Sequence, residues 1–154
     1  MASEWVETFK GAVLASEYDA EAHMNSQMYV SRFDQATWFL LHAIGITPLT
    51  MKQQKLRVAI FRQNYQFLAE LRGGELVVIR SGFVAVGEKY LRFVHRMFNH
   101  ETQAMLAISD CTAVQASLET GKSIALPAPL KQNARQHLVT VDTAEGAGVT
   151  APPP

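Results

Sequence analysis

A polar turn near the start of the chain contains three residues whose types and spacing suit acyl transfer. These residues are Asp19, His23 and Asn25, and a long apolar segment begins directly after them, near Ser26. A carboxylate on an irregular turn supplies a base or a nucleophile, and the free backbone N–H groups of a helix start stabilise a developing negative charge. Because acyl transfer needs both groups, this junction is the strongest functional indication in the sequence.

The apolar segment after the turn predicts a long helix from Ser26 to about Ile44. Its apolar residues recur at three- and four-residue steps, and Trp38 and Phe39 widen the apolar stripe. A helix that is apolar on most of its circumference must be covered by something larger than one neighbouring helix, and a curved sheet is the expected cover. We therefore expect Phe33, Trp38 and Phe39 mainly in the core, with one or two of them lining an acyl pocket.

Most of the remaining chain predicts the strands of one antiparallel sheet. A first strand is expected from about Glu4 to Ala15, before the turn. Turn residues separate later runs rich in Val, Ile, Phe and Tyr, which predict strands at about 56–70, 75–86, 90–98 and 102–118. Gly45 and Pro48 end the long helix, and a last helix is predicted from Leu130 to Leu138. This order of elements favours an α+β fold.

The predicted domain covers residues 1–140, and a chain of this length can form one domain with a substantial core. Residues 141–154 are mostly small, with two glycines and three terminal prolines. They carry too little apolar surface to offset the entropy cost of ordering. We therefore expect residues 141–154 to be a disordered C-terminal tail.

Composition argues against several classes of function. The chain has 14 Lys plus Arg and 14 Asp plus Glu, so no overall field attracts nucleic acid or an anionic membrane surface. No apolar run is long enough to span a bilayer and the start lacks a secretion signal, which predicts a cytoplasmic protein. Cys111 is the only cysteine, which excludes a disulfide within the chain, and it is expected to be buried. The histidines lack metal-ligand spacing, so no metal is predicted.

The order of these elements and the sequence of the turn together resemble a known family. Asp19 is followed four residues later by His23-Met24-Asn25, a pattern similar to that of the hotdog-fold acyl-CoA thioesterases of the 4-hydroxybenzoyl-CoA thioesterase family. Tyr29 and the segments 33–36 and 120–127 are similar to further parts of that family, and the likeness covers roughly residues 4–138. The resemblance implies a hotdog fold, in which about five antiparallel strands form a curved sheet around one long helix.

The turn departs from the family pattern at two positions. Ala22 stands where the family usually has Gly before the His, and Glu17 stands where it often has a second Asp. The backbone of the turn is therefore expected to differ from that of the family, which leaves the substrate preference open.

The resemblance implies hydrolysis of an acyl-CoA thioester, with CoA as part of the substrate and no separate cofactor. In this interpretation Asp19 either activates water or attacks the thioester itself, and the backbone N–H of Ser26 stabilises the oxyanion. His23 polarises the thioester, positions Asp19 or bonds loop carbonyls. Asn25 either caps the helix or holds a substrate carbonyl. The other interpretation of Asp19 is an ordinary turn or cap residue.

Further residues are expected near the substrate or CoA. The resemblance implies that Tyr29, Asp34 and Trp38 lie near the substrate, although Asp34 can instead make a buried link to Arg32 or to a facing subunit. The CoA phosphates need cations near a surface groove. The candidates, each of which can equally be an ordinary solvated charge, are Arg80, Lys89, Arg92 and Arg96.

The resemblance also implies a homodimer or homotetramer in which two sheets join edge to edge and the thioester lies between subunits. The acyl group stays open, since aliphatic, aromatic and short polar groups all fit, and a betaine-type group could face aromatic side chains such as Trp38. Two other functions remain as alternatives. One is hydrolysis of an acyl carrier protein thioester, which needs a basic docking face, and the other is binding of acyl-CoA without turnover.

Overall fold

The computed structural model describes residues 5–17, 20 and 23–141. Within these residues five strands form one antiparallel sheet with the spatial order β1-β3-β4-β5-β2. The strands are β1 (Val6–Ala12), β2 (Leu56–Phe67), β3 (Leu76–Val86), β4 (Tyr90–Asn99) and β5 (Met105–Ser117). The helices of the same described part are α1 (Ser26–Ala43), α2 (Pro48–Gln54) and α3 (Ala128–Arg135). This is the predicted α+β arrangement of one long helix on a curved sheet.

Helix α1 packs on the sheet through residues spaced three or four apart. The buried residues of this face are Tyr29, Phe33, Ala36, Thr37, Leu40 and Leu41. The first half of the helix packs among core residues that include Leu71, Ile79 and Met97. The second half packs among residues that include Phe83 and Phe93. The apolar face of α1 therefore fixes which side of the helix meets the sheet.

The expectation that Trp38 and Phe39 lie in the core is wrong for the single chain. Trp38 is 42% exposed and Phe39 is 62% exposed, whereas Phe33 is buried as expected. The reason is geometric, because the sheet covers one side of α1 and these two residues lie on the other side.

The predicted strands and the long helix are confirmed, with several ends shorter than expected. Helix α2 was not predicted, because Pro48 was interpreted only as a stop signal. In the structure Pro48 is at the start of α2, where proline is favourable. Thr47 and Thr50 form a reciprocal capping box in front of it, with distances of 3.1 Å and 2.9 Å.

A buried chain of neutral hydrogen-bonding groups joins the sheet to the middle of α1; it consists of Thr8, Ser81, His95 and Thr37. The hydroxyls of Thr8 and Ser81 are 2.7 Å apart, and Ser81 Oγ lies 2.5 Å from His95 Nδ1. His95 Nε2 lies 2.9 Å from Thr37 Oγ1, and the Thr37 hydroxyl donates to the carbonyl of Phe33 at 3.1 Å. We call these four side chains the core chain.

The direction of the core chain determines the tautomer of His95. The Thr37 hydroxyl donates its proton to a carbonyl, so it accepts from His95 Nε2–H. The Nδ1 atom then accepts from the Ser81 hydroxyl, and both ring nitrogens are satisfied in the neutral imidazole. His95 is completely buried, and this burial lowers its pKa to about 3. The core chain therefore carries no charge at neutral pH.

Candidate active site

The N-terminal end of α1 is capped by Asn25. Its backbone is extended, with φ −61° and ψ 142°, and its Oδ1 accepts the N–H of Gln27 at 2.9 Å. The structure therefore shows the capping role that was one of two expectations for Asn25. Ser26 is the first residue of the helix, so its N–H has no acceptor within the helix, and the helix dipole is positive at this end.

Asp19, the predicted base or nucleophile, lies outside the residues that the structure describes. The chain on either side of it is described. The carbonyl of Glu17 accepts the N–H of Asn25 at 3.0 Å, and Met24 N–H donates to the carbonyl of Leu71 at 2.8 Å. Both flanks of the predicted catalytic turn are therefore held close to the start of α1.

A cavity of about 440 Å³ lies at this end of α1. It is formed by the residues around the helix start on one side and by the end of β2 with the following segment on the other. The lining residues are His23, Met24, Asn25, Ser26, Tyr29, Phe67, Leu68, Ala69 and Glu70. The structure thus brings together four of the predicted site residues, namely His23, Asn25, Ser26 and Tyr29.

The sequence did not indicate the wall that runs from Phe67 to Glu70. The strand was predicted to continue to Glu70, but β2 ends at Phe67. Beyond it, the N–H groups of Leu68 and Ala69 both donate to the carbonyl of Leu106, at 2.8 Å and 3.1 Å. This departure from the regular ladder brings the segment to the cavity. It depends on a pairing with distant residues, and no local signal in the sequence marks it.

The Tyr29 side chain links α1 to this wall. Its hydroxyl donates to the carbonyl of Ala69 at 3.2 Å and accepts the N–H of Leu71 at 2.9 Å. Its ring meets Phe67 edge to face, with centroids 5.4 Å apart. Burial raises the pKa of Tyr29, with the negative charges of Glu70 and Glu75 adding to this effect and the Leu71 N–H opposing it. The hydroxyl is therefore neutral and occupied by backbone groups, so Tyr29 contributes to the cavity mainly as a wall.

His23 lies beside the carboxylate of Glu70, a residue that the sequence did not indicate as part of the site. The Nε2 atom of His23 is 3.3 Å from Oε2 of Glu70, whose side chain is largely exposed. His23 also forms a β-bridge with Arg72, which pairs the turn with the chain after the cavity wall. The ring of His23 is thus held at the cavity rather than in the core.

A buried ion pair lies behind the turn, between Glu17 and Arg32. The Glu17 side chain is 4% exposed and that of Arg32 is 12% exposed. Oε1 of Glu17 also accepts the N–H of Leu14 at 2.7 Å, and the guanidinium of Arg32 lies over the ring of Phe9, 5.0 Å from its centroid. The ion pair joins the described chain before Asp19 to the second turn of α1.

Two predicted substrate residues are not among the residues that line the cavity. Asp34 is exposed on α1 and Arg32 pairs with Glu17, so the alternative of a buried link between Asp34 and Arg32 is wrong, while a link to a facing subunit stays a prediction. Trp38 lies further along the helix and lines a separate apolar cavity of about 180 Å³ with Phe39, His42 and Pro48. Both roles near the substrate stay predictions.

The cations predicted for CoA lie away from the cavity. Arg92 and Arg96 alternate along β4 with residues that pack under α1, so they lie on the opposite face of the sheet. Arg92 makes two hydrogen bonds to Asp110, at 3.0 Å and 2.7 Å, which raise the pKa of the guanidinium. Arg96 stacks on the ring of Trp5 at 4.3 Å.

The two other predicted cations are also distant from the cavity lining. Arg80 stacks on Phe98 at 5.1 Å and donates to Gln103 at 3.2 Å, while Lys89 is exposed in the turn between β3 and β4. None of the four predicted cations is among the described residues that line the cavity at Ser26. Their role in binding CoA stays a prediction.

The described residues contain neither a cluster of metal ligands nor a membrane-spanning helix. Within the described ranges, no three His, Cys, Asp or Glu side chains lie close enough together to hold a metal ion. In the same part of the chain, no helix is both long and apolar enough to cross a membrane. Cys111 is buried as expected, and burial raises the pKa of its thiol to about 12.

Solved structures from several organisms share this fold. A hypothetical protein from Staphylococcus aureus, in complex with CoA, has a TM-score of 0.88 at 13% identity, over 99% of this chain and 98% of its own. A 1,4-dihydroxy-2-naphthoyl-CoA thioesterase from Synechocystis has a TM-score of 0.74 at 12% identity, over 82% of this chain and 93% of its own. A putative thioesterase from Pseudomonas putida has a TM-score of 0.75 at 17% identity, over 99% of this chain and 93% of its own. These likenesses confirm the predicted hotdog fold.

Sequence comparison identifies the family. No curated protein matches the chain. The family model of the thioesterase-like superfamily matches residues 13–153, which is most of the sequence and includes the predicted catalytic turn, α1 and four of the strands. The protein therefore belongs to the thioesterase-like superfamily, and the expectation of a thioester hydrolase is confirmed.

Proposed function

We propose that the protein hydrolyses acyl-CoA thioesters in the cavity at the N-terminal end of α1. The observation that carries this proposal is the cavity itself, which combines the free helix end at Ser26 with apolar walls from Met24, Phe67 and Leu68. The helix end suits an oxyanion, and the apolar walls suit an acyl group. The structural relative from Staphylococcus aureus is in complex with CoA, and the relative from Synechocystis is a thioesterase for a CoA thioester. Both favour CoA as the carrier.

The backbone N–H of Ser26 is the proposed oxyanion donor. Attack on the thioester carbonyl carbon places negative charge on the carbonyl oxygen, and the first N–H of the helix, together with the helix dipole, stabilises it. The bond from carbon to sulfur then breaks. The CoA sulfur leaves as a thiolate, and because a thiol has a pKa of about 8.5, this departure needs no strong general acid.

Asp19 is the proposed base or nucleophile. Either its carboxylate removes a proton from water as the water attacks, or it attacks the thioester and forms a mixed anhydride that water then hydrolyses. Support comes from the spacing of Asp19 to His23 and Asn25 and from the anchored flanks of the turn at Glu17 and Met24. In either route Asp19 must reach a carbonyl carbon that lies beside the Ser26 N–H.

The remaining polar groups of the cavity have supporting roles in this proposal. Asn25 caps the helix and so fixes the direction of the Ser26 N–H. His23, held beside Glu70, borders the position of the thioester and polarises or orients it. Tyr29 shapes the acyl pocket with Phe67, since its hydroxyl is already bonded to the backbone.

A homodimer or homotetramer is part of the proposal. In the described chain β2 is an edge strand of the sheet, and it carries the exposed apolar residues Ile60, Phe61 and Phe67. An exposed apolar edge is a common site of strand pairing between subunits. Pairing of two β2 edges would cover these residues and would place a second subunit beside the cavity wall at Phe67.

The test is release of free thiol from a panel of acyl-CoA esters by the wild type and by Asp19→Asn. Loss of the carboxylate is expected to lower kcat by about 10²–10⁴-fold. Glu101→Gln removes an exposed carboxylate from the turn between β4 and β5 and serves as the matched control, with wild-type activity expected. Full activity of the Asp19→Asn enzyme would refute the role of Asp19.

The same panel separates the two alternative functions. Faster release from acyl carrier protein thioesters than from every CoA ester would make the carrier protein the substrate. Tight binding of acyl-CoA in calorimetry, without any release of thiol from either carrier, would indicate a binding protein that has lost turnover.

A further inference from the structure

Glu17 is a buried carboxylate that the proposed reaction does not use. Its side chain is 4% exposed, although it lies only two positions before Asp19. A carboxylate is seldom buried to this extent unless it is paired and hydrogen-bonded, because removing the charge from water is costly. Glu17 satisfies both conditions through Arg32 and through the N–H of Leu14, which it accepts at 2.7 Å.

The backbone of Glu17 is held as firmly as its side chain. Its N–H donates to the carbonyl of Leu14 at 2.9 Å, and its carbonyl accepts the N–H of Asn25 at 3.0 Å. Asn25 is the N-cap of α1, directly before the proposed oxyanion donor Ser26. Glu17 therefore bonds to the chain before the turn, to the helix cap and, through Arg32, to the body of the helix.

Arg32 provides a rigid attachment on the helix side. Its guanidinium lies over the ring of Phe9 in β1, 5.0 Å from the centroid, so the sheet, the helix and the chain at Glu17 meet at this group. A planar guanidinium held by an aromatic ring and a carboxylate has few alternative orientations. The position of Glu17 relative to α1 is thus fixed by a partner that cannot easily move.

From these contacts we infer that Glu17 is a positioning residue, which with Arg32 holds the start of α1 at Asn25 and Ser26 against the chain that directly precedes Asp19. This inference rests on the proposed function, since it concerns the same site. Glu17 is not among the described residues that line the cavity, and it acts through the bond between its carbonyl and the Asn25 N–H. The carboxylate of Glu17 reaches Arg32 on the second turn of α1, so the ion pair joins the chain before Asp19 to the helix.

The test replaces Glu17 with glutamine, which keeps the size of the side chain and removes its charge. We expect kcat to fall by about 100-fold, because a displacement of about 1 Å at a reacting group has an effect of this size. KM is expected to change by less than about threefold, since the lost alignment matters chiefly in the transition state. Amide hydrogen exchange at Asn25, whose N–H bonds to the Glu17 carbonyl, is expected to become about tenfold faster.

Asp110→Asn is the matched control. Asp110 is also 4% exposed and also pairs with an arginine, Arg92, but this pair lies on the opposite face of the sheet. Replacing Asp110 removes a buried, arginine-paired charge on the face of the sheet that is turned away from α1. We expect the control to keep the wild-type kcat and the wild-type exchange rate at Asn25.

The outcomes decide between positioning and general stability. Equal losses of kcat in the two variants, or wild-type exchange at Asn25 in Glu17→Gln, would overturn the inference. If Glu17→Gln does not fold, Arg32→Lys takes its place, since lysine keeps the positive charge but loses the planar contact. It is expected to lower kcat by about tenfold with faster exchange at Asn25, and unchanged values of both would overturn the inference.

Failure of the proposed function can be distinguished from failure of the inference about Glu17. If the wild type releases no thiol from any thioester, the proposed function fails, while the exchange rate at Asn25 in Glu17→Gln still reports whether Glu17 holds the helix start.

Discussion

Two groups of polar side chains that join α1 to the rest of the described structure differ in charge. The turn cluster lies at the N-terminal end of the helix and is built on an ion pair; it consists of Glu17, Arg32, Asn25 and Tyr29. The core chain, defined above, lies under the middle of the helix and is neutral throughout. The same helix is thus fixed by charge at one end and by neutral hydrogen bonds at its centre.

The difference follows from the surroundings of the two groups. The Arg32 side chain keeps 12% of its surface exposed and lies against an aromatic ring, so its charge is only partly removed from water. His95 has no exposed surface, and a charged imidazole there would lack compensation. This fold therefore places an ion pair near the proposed reaction and keeps the polar groups under the middle of α1 neutral.

The largest expected effect is a loss of stability at acid pH, caused by His95 in the core chain. In the unfolded chain His95 binds a proton below pH 6.5, whereas in the folded protein its pKa is about 3. As the pH falls from 6.5 towards 3, the unfolded state binds more protons, and the free energy of unfolding falls by about 1.4 kcal/mol per pH unit from this group. Urea denaturation between pH 7 and pH 4 measures this slope.

The control for this prediction is His95→Gln, whose amide can still bond to Ser81 and Thr37 but does not titrate. This variant is expected to be less stable at pH 7 and to show a shallower loss of stability on acidification. An unchanged slope would mean that His95 is not the group responsible.

A smaller effect is expected from Tyr29→Phe in the turn cluster. The change leaves the buried N–H of Leu71 without its acceptor, which costs about 1–3 kcal/mol in the free energy of unfolding. Tyr65→Phe is the matched control, because the Tyr65 hydroxyl donates to an exposed side chain, Gln63, and accepts no buried backbone N–H among the described residues. Urea denaturation should show a clearly larger loss for Tyr29→Phe, and equal losses would contradict the assigned role of its hydroxyl.

The smallest expected effect concerns the helix cap. Asn25→Ala removes the acceptor of the Gln27 N–H and is expected to lower the free energy of unfolding by about 1 kcal/mol. Thr47→Ala removes the cap of α2, which is away from the cavity, at a similar cost. Thermal denaturation should place the two variants close together, while thiol release should fall only in Asn25→Ala. Equal activities would show that the cap of α1 supports the fold alone.

Much of the site was accessible from the sequence because it is local. The helix start at Ser26 and its cap at Asn25 follow from a short polar turn before an apolar periodic segment. His23 joins them at the cavity because it is close in sequence. Asp19 belongs to the same pattern but lies outside the described residues, so its role stays a prediction.

Other parts of the site were not accessible, because they depend on contacts between distant segments. The sequence suggested Glu17 only as a departure from a family pattern, and its pairing with Arg32 appears only when the turn folds against the helix. Glu70 reaches the cavity because the chain after β2 bonds to Leu106. Trp38 was expected in the core, since its apolar character does not reveal which side of α1 the sheet covers.

The sequence by itself determined the order of the strands, the long helix with its start at Ser26 and the family, because periodicity, caps and short motifs act over a few residues. The tertiary structure alone decided which residues enclose the cavity and which polar groups are buried as ions or as neutral partners. Burial and pairing depend on segments that are far apart in the chain, and the free energy of a charge depends on what surrounds it after folding.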